Sequence, residues 1–80
     1  MHFVYILKSL VDGGYYYGCT AEIEKRLKSH NFGRVRSTKY RRPLKLHYSE
    51  SCDSKTAAIK RERFFKSPPG YAWLKAKGII

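Results

Sequence analysis

The sequence has almost no cysteine, little proline and few acids. Its two cysteines, Cys19 and Cys52, match no zinc-ligand spacing and are too few for a disulfide framework. They predict reduced thiols and a cytoplasmic location. No run of about 18 apolar residues occurs, which leaves no candidate transmembrane helix. The opening run Met1-His2-Phe3-Val4-Tyr5-Ile6-Leu7-Lys8 lacks a basic leader and a small-residue cleavage site, so no signal peptide is expected. There is no internal repeat, low-complexity tract, Walker-type phosphate loop or Ser-centred hydrolase elbow. Only 80 residues are present, which leaves room for one domain over 1–80 and none for a Rossmann unit or a barrel.

What is abundant is positive charge and aromatic surface. Lys and Arg number 17 against 6 Asp and Glu, a net charge of +11. Aromatic residues make up 15% and hydrophobic residues 42%, which argues for a folded chain despite the charge. Such a surface attracts phosphate backbones with salt-dependent affinity, and nucleic acid is the expected partner. Anionic membranes and acidic proteins are the weaker competitors for the same charge, and no membrane partner is expected.

The pattern predicts an α+β domain: a small three-stranded antiparallel sheet flanked by helices, in the order β-β-α-β-α-α. Phe3 to Leu10 reads as a strand, Asp12-Gly13-Gly14 as a turn, and Tyr15-Tyr16-Tyr17-Gly18 as the return strand of a hairpin. Alternation sets Tyr15 and Tyr17 on one face and Tyr16 on the other. Thr20 is the candidate N-cap of a first helix, with Ile23 and Leu27 as its apolar stripe, Arg26 and His30 flanking it, and Gly33 as its stop. Arg34, Arg36, Lys39, Arg41 and Arg42 then form a basic loop with no acid among them. A third strand sets Leu44, Leu46 and Tyr48 against Lys45 and His47. Asp53 or Ser54 caps a second helix that runs to about Lys66 and is stopped by Pro68-Pro69. A last helix spans Tyr71 to Lys77, with Trp73 and Leu74 docking on the core.

Glu62 is the most informative single residue. It lies beside the helix stripe formed by Ala58 and Phe65, where a carboxylate is costly unless paired. Two readings stand: a salt bridge to Arg26, to Arg61 or to a tyrosine hydroxyl, or one hard ligand for a divalent cation such as Mg²⁺. Arg26 reads either as a solvated charge or as a phosphate clamp. The hairpin tyrosines read as cross-strand packing, as phenols in a site, or as rings that stack bases. His30 and His47 have no metal-like spacing, and Cys19 has no evident His partner to make it a nucleophile.

Taken in order, Phe3-Val4-Tyr5, Tyr16-Tyr17-Gly18, Glu24-Lys25-Arg26-Leu27-Lys28-Ser29-His30 and Lys60-Arg61-Glu62 resemble the GIY-YIG nuclease domain. The segments Arg41 to Glu50 and Ala57 to Glu62 resemble its small standalone UPF0213 or YhbQ-like branch, so the likeness covers nearly the whole chain. It implies phosphodiester hydrolysis with one Mg²⁺ or Mn²⁺. On the matching positions it implies that Tyr5, Tyr16, Arg26, His30 and Glu62 are catalytic, that Glu62 binds the metal, and that Gly18 is the motif glycine. Phe3 stands where the first motif has glycine, Tyr17 is the second motif's middle residue, and Cys19 stands where some members have lysine. Many members carry a late asparagine, whereas the only asparagine here is Asn31.

The expectation that follows is a metal-dependent endonuclease acting on DNA rather than RNA, in a repair, recombination or processing role. Tyr5, its pKa lowered by nearby cations, takes a proton from the attacking water. Arg26 binds a non-bridging oxygen, and Tyr16 and His30 orient the water or phosphate. Arg34, Arg36, Lys39, Arg41 and Arg42 hold the nucleic-acid backbone. The face carrying Tyr16 is expected to meet both Arg26 and Glu62. The alternatives are a non-catalytic nucleic-acid-binding module with the same fold and a basic adaptor for a protein or the ribosome.

Overall fold

The computed structural model describes residues 1–80. Strand β1 (His2–Ser9) is the middle strand of an antiparallel sheet, between β2 (Tyr15–Thr20) and β3 (Leu44–Cys52). Helix α1 (Ile23–Asn31) covers one face. Helices α2 (Lys55–Phe65) and α3 (Pro68–Ala76) belong to the other. A middle strand flanked on both faces buries both sets of its side chains, which is why Val4, Tyr5, Ile6 and Leu7 are a continuous apolar run. Val4 and Ile6 pack with Phe65 and Leu74 on the α2 face, whereas Tyr5 and Leu7 pack with Leu44 and Leu27 on the α1 face.

The hairpin turn is built as its sequence indicates. Gly13 has φ +72°, a conformation that favours glycine, and Gly14 N–H donates to Asp12. The buried Ser9 hydroxyl accepts from the N–H groups of Val11 and Asp12 and donates to the Arg41 carbonyl. This ties the hairpin to the loop before β3.

Three local expectations are corrected. Glu22, not Thr20, is the N-cap of α1. Thr20 ends β2, and its hydroxyl accepts from Glu22 N–H in a local turn that precedes the helix. In β3 the strict alternation breaks, because a register shift lies where Ile6 pairs with Tyr48 and Leu7 with Leu46. The extra residue, His47, turns Tyr48 towards Phe65 on the α2 face, while Leu44 and Leu46 remain on the α1 face. The prolines open α3 rather than only closing α2: the last helix begins at Pro68, because the first helical turn does not use the N–H that proline lacks. Ser67 caps it through Gly70 N–H, as Ser54 caps α2 through Ala57 N–H.

The α2 face is locked by Arg61. Its guanidinium lies 4.5 Å from the Trp73 ring centre and 4.9 Å from those of Phe64 and Phe65. Its Nε donates to Glu50 at 2.8 Å. Burial opposes ionisation of Glu50, but Arg61 and Tyr48 outweigh it and hold the carboxyl below its ordinary range. Burial and the Glu50 charge push Tyr48 up to about 12.

Gly70 is where α3 meets α2, and a Cβ there would overlap the Phe64 carbonyl. Gly70→Ala is expected to destabilise the fold by about 1–3 kcal/mol, read as a lower denaturant midpoint at unchanged slope.

Candidate active site

Tyr5 is the anchor of the site. It is 2% exposed and pairs across the sheet with Gly18. A Cβ on Gly18 would lie 2.5 Å from the Tyr5 hydroxyl and 2.6 Å from Cζ, so the phenol lies on bare backbone that only glycine leaves open. The Tyr16 ring is 6.5 Å away on the same face, and the His30 ring meets Tyr16 edge-on at 5.0 Å.

His30 is fully buried. Its Nε2 lies 3.1 Å from the Tyr5 hydroxyl and its Nδ1 2.8 Å from the Thr38 hydroxyl. Thr38 gives its own proton to the Val35 carbonyl, so its oxygen is left to accept. We assign the ring proton to Nδ1 on this ground, which leaves Nε2 to accept the proton of Tyr5. Burial, helped by the Arg26 charge, lowers the His30 pKa to about 4, and the ring is neutral at pH 7.

Arg26 lies one turn before His30 on α1. Hydrogen bonding to Tyr5, with help from Tyr16, raises its pKa above the ordinary value. The expectation for Tyr5 is corrected: its pKa is raised, not lowered. Burial removes the phenolate from water and outweighs the favourable Arg26 charge. At neutral pH Tyr5 is a phenol that donates. A polar groove of about 210 Å³ opens beside Arg26, lined also by Thr20, Glu22, Lys25 and Ser29.

Glu62 approaches from the α2 side. Its partner is Lys66, one turn on, with Nζ 2.8 Å from Oε2, and not Arg26, Arg61 or a tyrosine. Arg61 is taken by Glu50. The Tyr16 face meets Arg26 and His30, while Glu62 stands beside Cys19. Cys19 pairs with Val4 and shares its α2 face, next in the chain to Gly18. Burial and the Glu62 carboxylate push the Cys19 thiol up, which keeps it protonated and unreactive. The structure thus joins Tyr5, Tyr16, Arg26 and His30 in one cluster and sets Glu62 across strand β2 from it.

No group of three His, Cys, Asp or Glu side chains is present to form a metal cage. A single exchangeable carboxylate suits a hard ion that keeps several waters and takes further oxygens from phosphate, as Mg²⁺ does. Glu62 fits that role.

The basic loop is more ordered than the sequence suggests. It contains a 3-10 turn at Lys39–Arg41. Arg41 pairs with Asp12 at 3.1 Å, and Arg42 Nε donates to the Lys39 carbonyl. Arg34, Arg36 and Lys39 remain exposed and unpaired by acids. Sequence reasoning missed Thr38, which nothing in a basic loop distinguishes. It also missed Asn31, whose side chain bonds both the N–H and the carbonyl of Leu44 and so fixes α1 to β3.

Residues 1–70 match the family model described as the GIY-YIG catalytic domain. The chain belongs to the GIY-YIG family. It is 47% identical over 66 residues to a UPF0213 protein of Bacillus licheniformis, covering 81% of this chain and 67% of that protein. It is 41% identical to the UPF0213 protein YazA of Bacillus subtilis, covering 81% and 66%. The chain therefore spans about two thirds of these relatives. The solution NMR structure of a UPF0213 protein from Bacillus halodurans superposes with a TM-score of 0.55 at 32% identity, over 94% of this chain and 82% of the other. GIY-YIG membership points to a nuclease-type function. No helix is long and apolar enough to cross a membrane.

Two predictions follow from the Tyr5–His30 pair. Gly18→Ala pushes the Tyr5 ring off its seat and is expected to lower stability by about 1–3 kcal/mol, read by denaturant unfolding. The second concerns pH. Unfolded His30 binds a proton near pH 6.5, and the native ring refuses it until about pH 4. The unfolded chain thus holds more protons in this window, and stability falls as pH drops through it, by on the order of 2 kcal/mol. Unfolding curves between pH 7 and pH 4 check this, and His30→Gln is expected to flatten the dependence.

Proposed function

We propose that this GIY-YIG domain is a divalent-metal-dependent endonuclease that hydrolyses phosphodiester bonds in nucleic acid, DNA in preference to RNA, in a repair, recombination or processing role. One observation carries the reading: a buried phenol hydrogen-bonded to a neutral imidazole, with a guanidinium beside it. A surface that only binds phosphates has no need of that arrangement. The endonuclease character of the family supports the same reading.

Hydrolysis needs a proton acceptor for water and positive charge on the phosphate. Tyr5 keeps its proton at rest, so the acceptor is a relay rather than a ready-made phenolate. As water attacks phosphorus, it passes one proton to the Tyr5 oxygen. Tyr5 passes its own proton to Nε2 of His30, which stays hydrogen-bonded to Thr38 through Nδ1–H. The water oxygen forms the new P–O bond, and the leaving oxygen departs with the electron pair of the bond that breaks. Arg26 binds a non-bridging oxygen. Tyr16 orients the water or phosphate, and buried His30 acts on both through Tyr5. Glu62, released by Lys66, would hold Mg²⁺ or Mn²⁺, and such an ion neutralises charge on the phosphate and leaving oxygen. Arg34, Arg36 and Lys39 hold the flanking backbone with charges that give affinity but no sequence choice. Arg41 and Arg42 chiefly shape the loop.

The test is cleavage of labelled duplex, single-stranded, flap and four-way-junction DNA, beside matching RNA, with Mg²⁺ or Mn²⁺. Glu62→Ala and Tyr5→Phe are expected to lower cleavage about 100-fold or more with binding retained. Binding without cutting on every substrate, equal in parent and variants, would make this the non-catalytic module with the same fold.

A further inference from the structure

Two aromatic side chains stand in solvent beside the basic loop. Tyr40 is 86% exposed in the 3-10 turn, and Phe32 is 71% exposed at the C-cap of α1. Each has a cation over its ring: Lys39 Nζ is 5.6 Å from the Tyr40 centre, and Arg34 Cζ is 5.4 Å from the Phe32 centre. Each also borders an open groove, of about 480 Å³ at Tyr40 and about 350 Å³ at Phe32. Asn31 lines both grooves, and its side chain is clamped to Leu44, so the wall they share is fixed. Lys28 and Arg42 complete the rims. No acid occurs between Lys25 and Ser49.

We infer that these paired grooves bind two unpaired bases of one nucleic-acid strand, one stacked on Tyr40 and one on Phe32. A flat ring that faces water and is flanked by cations offers a base what it seeks, a stacking face beside charge for its phosphate. Paired bases in a duplex keep their faces inside the stack and cannot use these rings. A second copy of this chain carries the same positive charge and is repelled. An acidic peptide matches the charge but leaves both ring faces wet. The surface is also fixed relative to the candidate active site. Thr38, two residues before Tyr40, holds Nδ1 of His30, and His30 holds Tyr5. The inference rests on the nucleic-acid part of the proposed function and not on cleavage.

Fluorescence anisotropy with the full chain tests it. The probes are a short oligothymidine, a matching oligouridine, a duplex of equal length, heparin as a polyanion without bases, and vesicles rich in anionic lipid. Tyr40→Ala and Phe32→Ala are expected to weaken single-strand binding about 10-fold each. Tyr40→Phe should retain it, and duplex, heparin and vesicle binding should be unchanged. The oligothymidine and oligouridine arms show whether the strand is DNA or RNA. Arg34→Ala with Lys39→Ala should weaken every polyanion and reduce the salt dependence. Equal single-strand binding by parent, Tyr40→Ala and Phe32→Ala would overturn the inference, as would equal weakening on every probe. Glu62→Ala separates the two proposals: single-strand binding that persists while no protein cuts supports this site and sinks only the nuclease reading.

Discussion

The hydrogen-bonded chain from Tyr5 through His30 to Thr38 is the constraint on which the site depends. It joins the middle strand, the first helix and the basic loop, and it does so inside the protein, where an unmet polar group is costly. No buried side-chain polar atom lacks a partner. His30 can accept from Tyr5 only while its ring is neutral, and its burial keeps it so at rest. The same burial keeps Tyr5 protonated. Structure and chemistry thus share one feature: the phenol that holds the layers together is the phenol whose proton is directed at the imidazole.

Charge is arranged around that chain with little waste. With few acids available, Asp12 and Glu50 each meet an arginine that closes a structural contact, Arg41 at the hairpin and Arg61 among the aromatic rings. Glu62 is held by Lys66, whose side chain is half exposed. A pair open to solvent on its Lys66 side contributes modestly to stability. Of the other cations, Lys25, Arg26, Lys28, Arg34, Arg36, Lys39 and Arg42 lie along α1 and the following loop, where they repel one another in the free protein and are relieved by a polyanion.

Much of this was legible in the sequence because one face of each element is buried and the period shows. The element order, the turn at Asp12-Gly13-Gly14 and the glycine after α1 follow from pattern and local chemistry. Tyr5, Tyr16, Arg26 and His30 were legible as a set through their resemblance to the GIY-YIG motifs, and the structure brings them together. The misses share a cause: they depend on tertiary contact. The extra residue His47 shows only against β1. The Lys66 partner of Glu62 is one of several cations within reach on paper. The direction of the Tyr5 shift required knowing that the ring is buried over Gly18. Thr38 has no signature at all until His30 is placed beside it.

The central claim is that Tyr5 gives its proton to a neutral His30. Nitrogen-15 NMR of the imidazole tests it directly. The account predicts a ring protonated on Nδ1 and unprotonated on Nε2, which stays neutral down to about pH 4. A ring protonated on Nε2, or one that titrates near the ordinary histidine value of about 6.5, would contradict it.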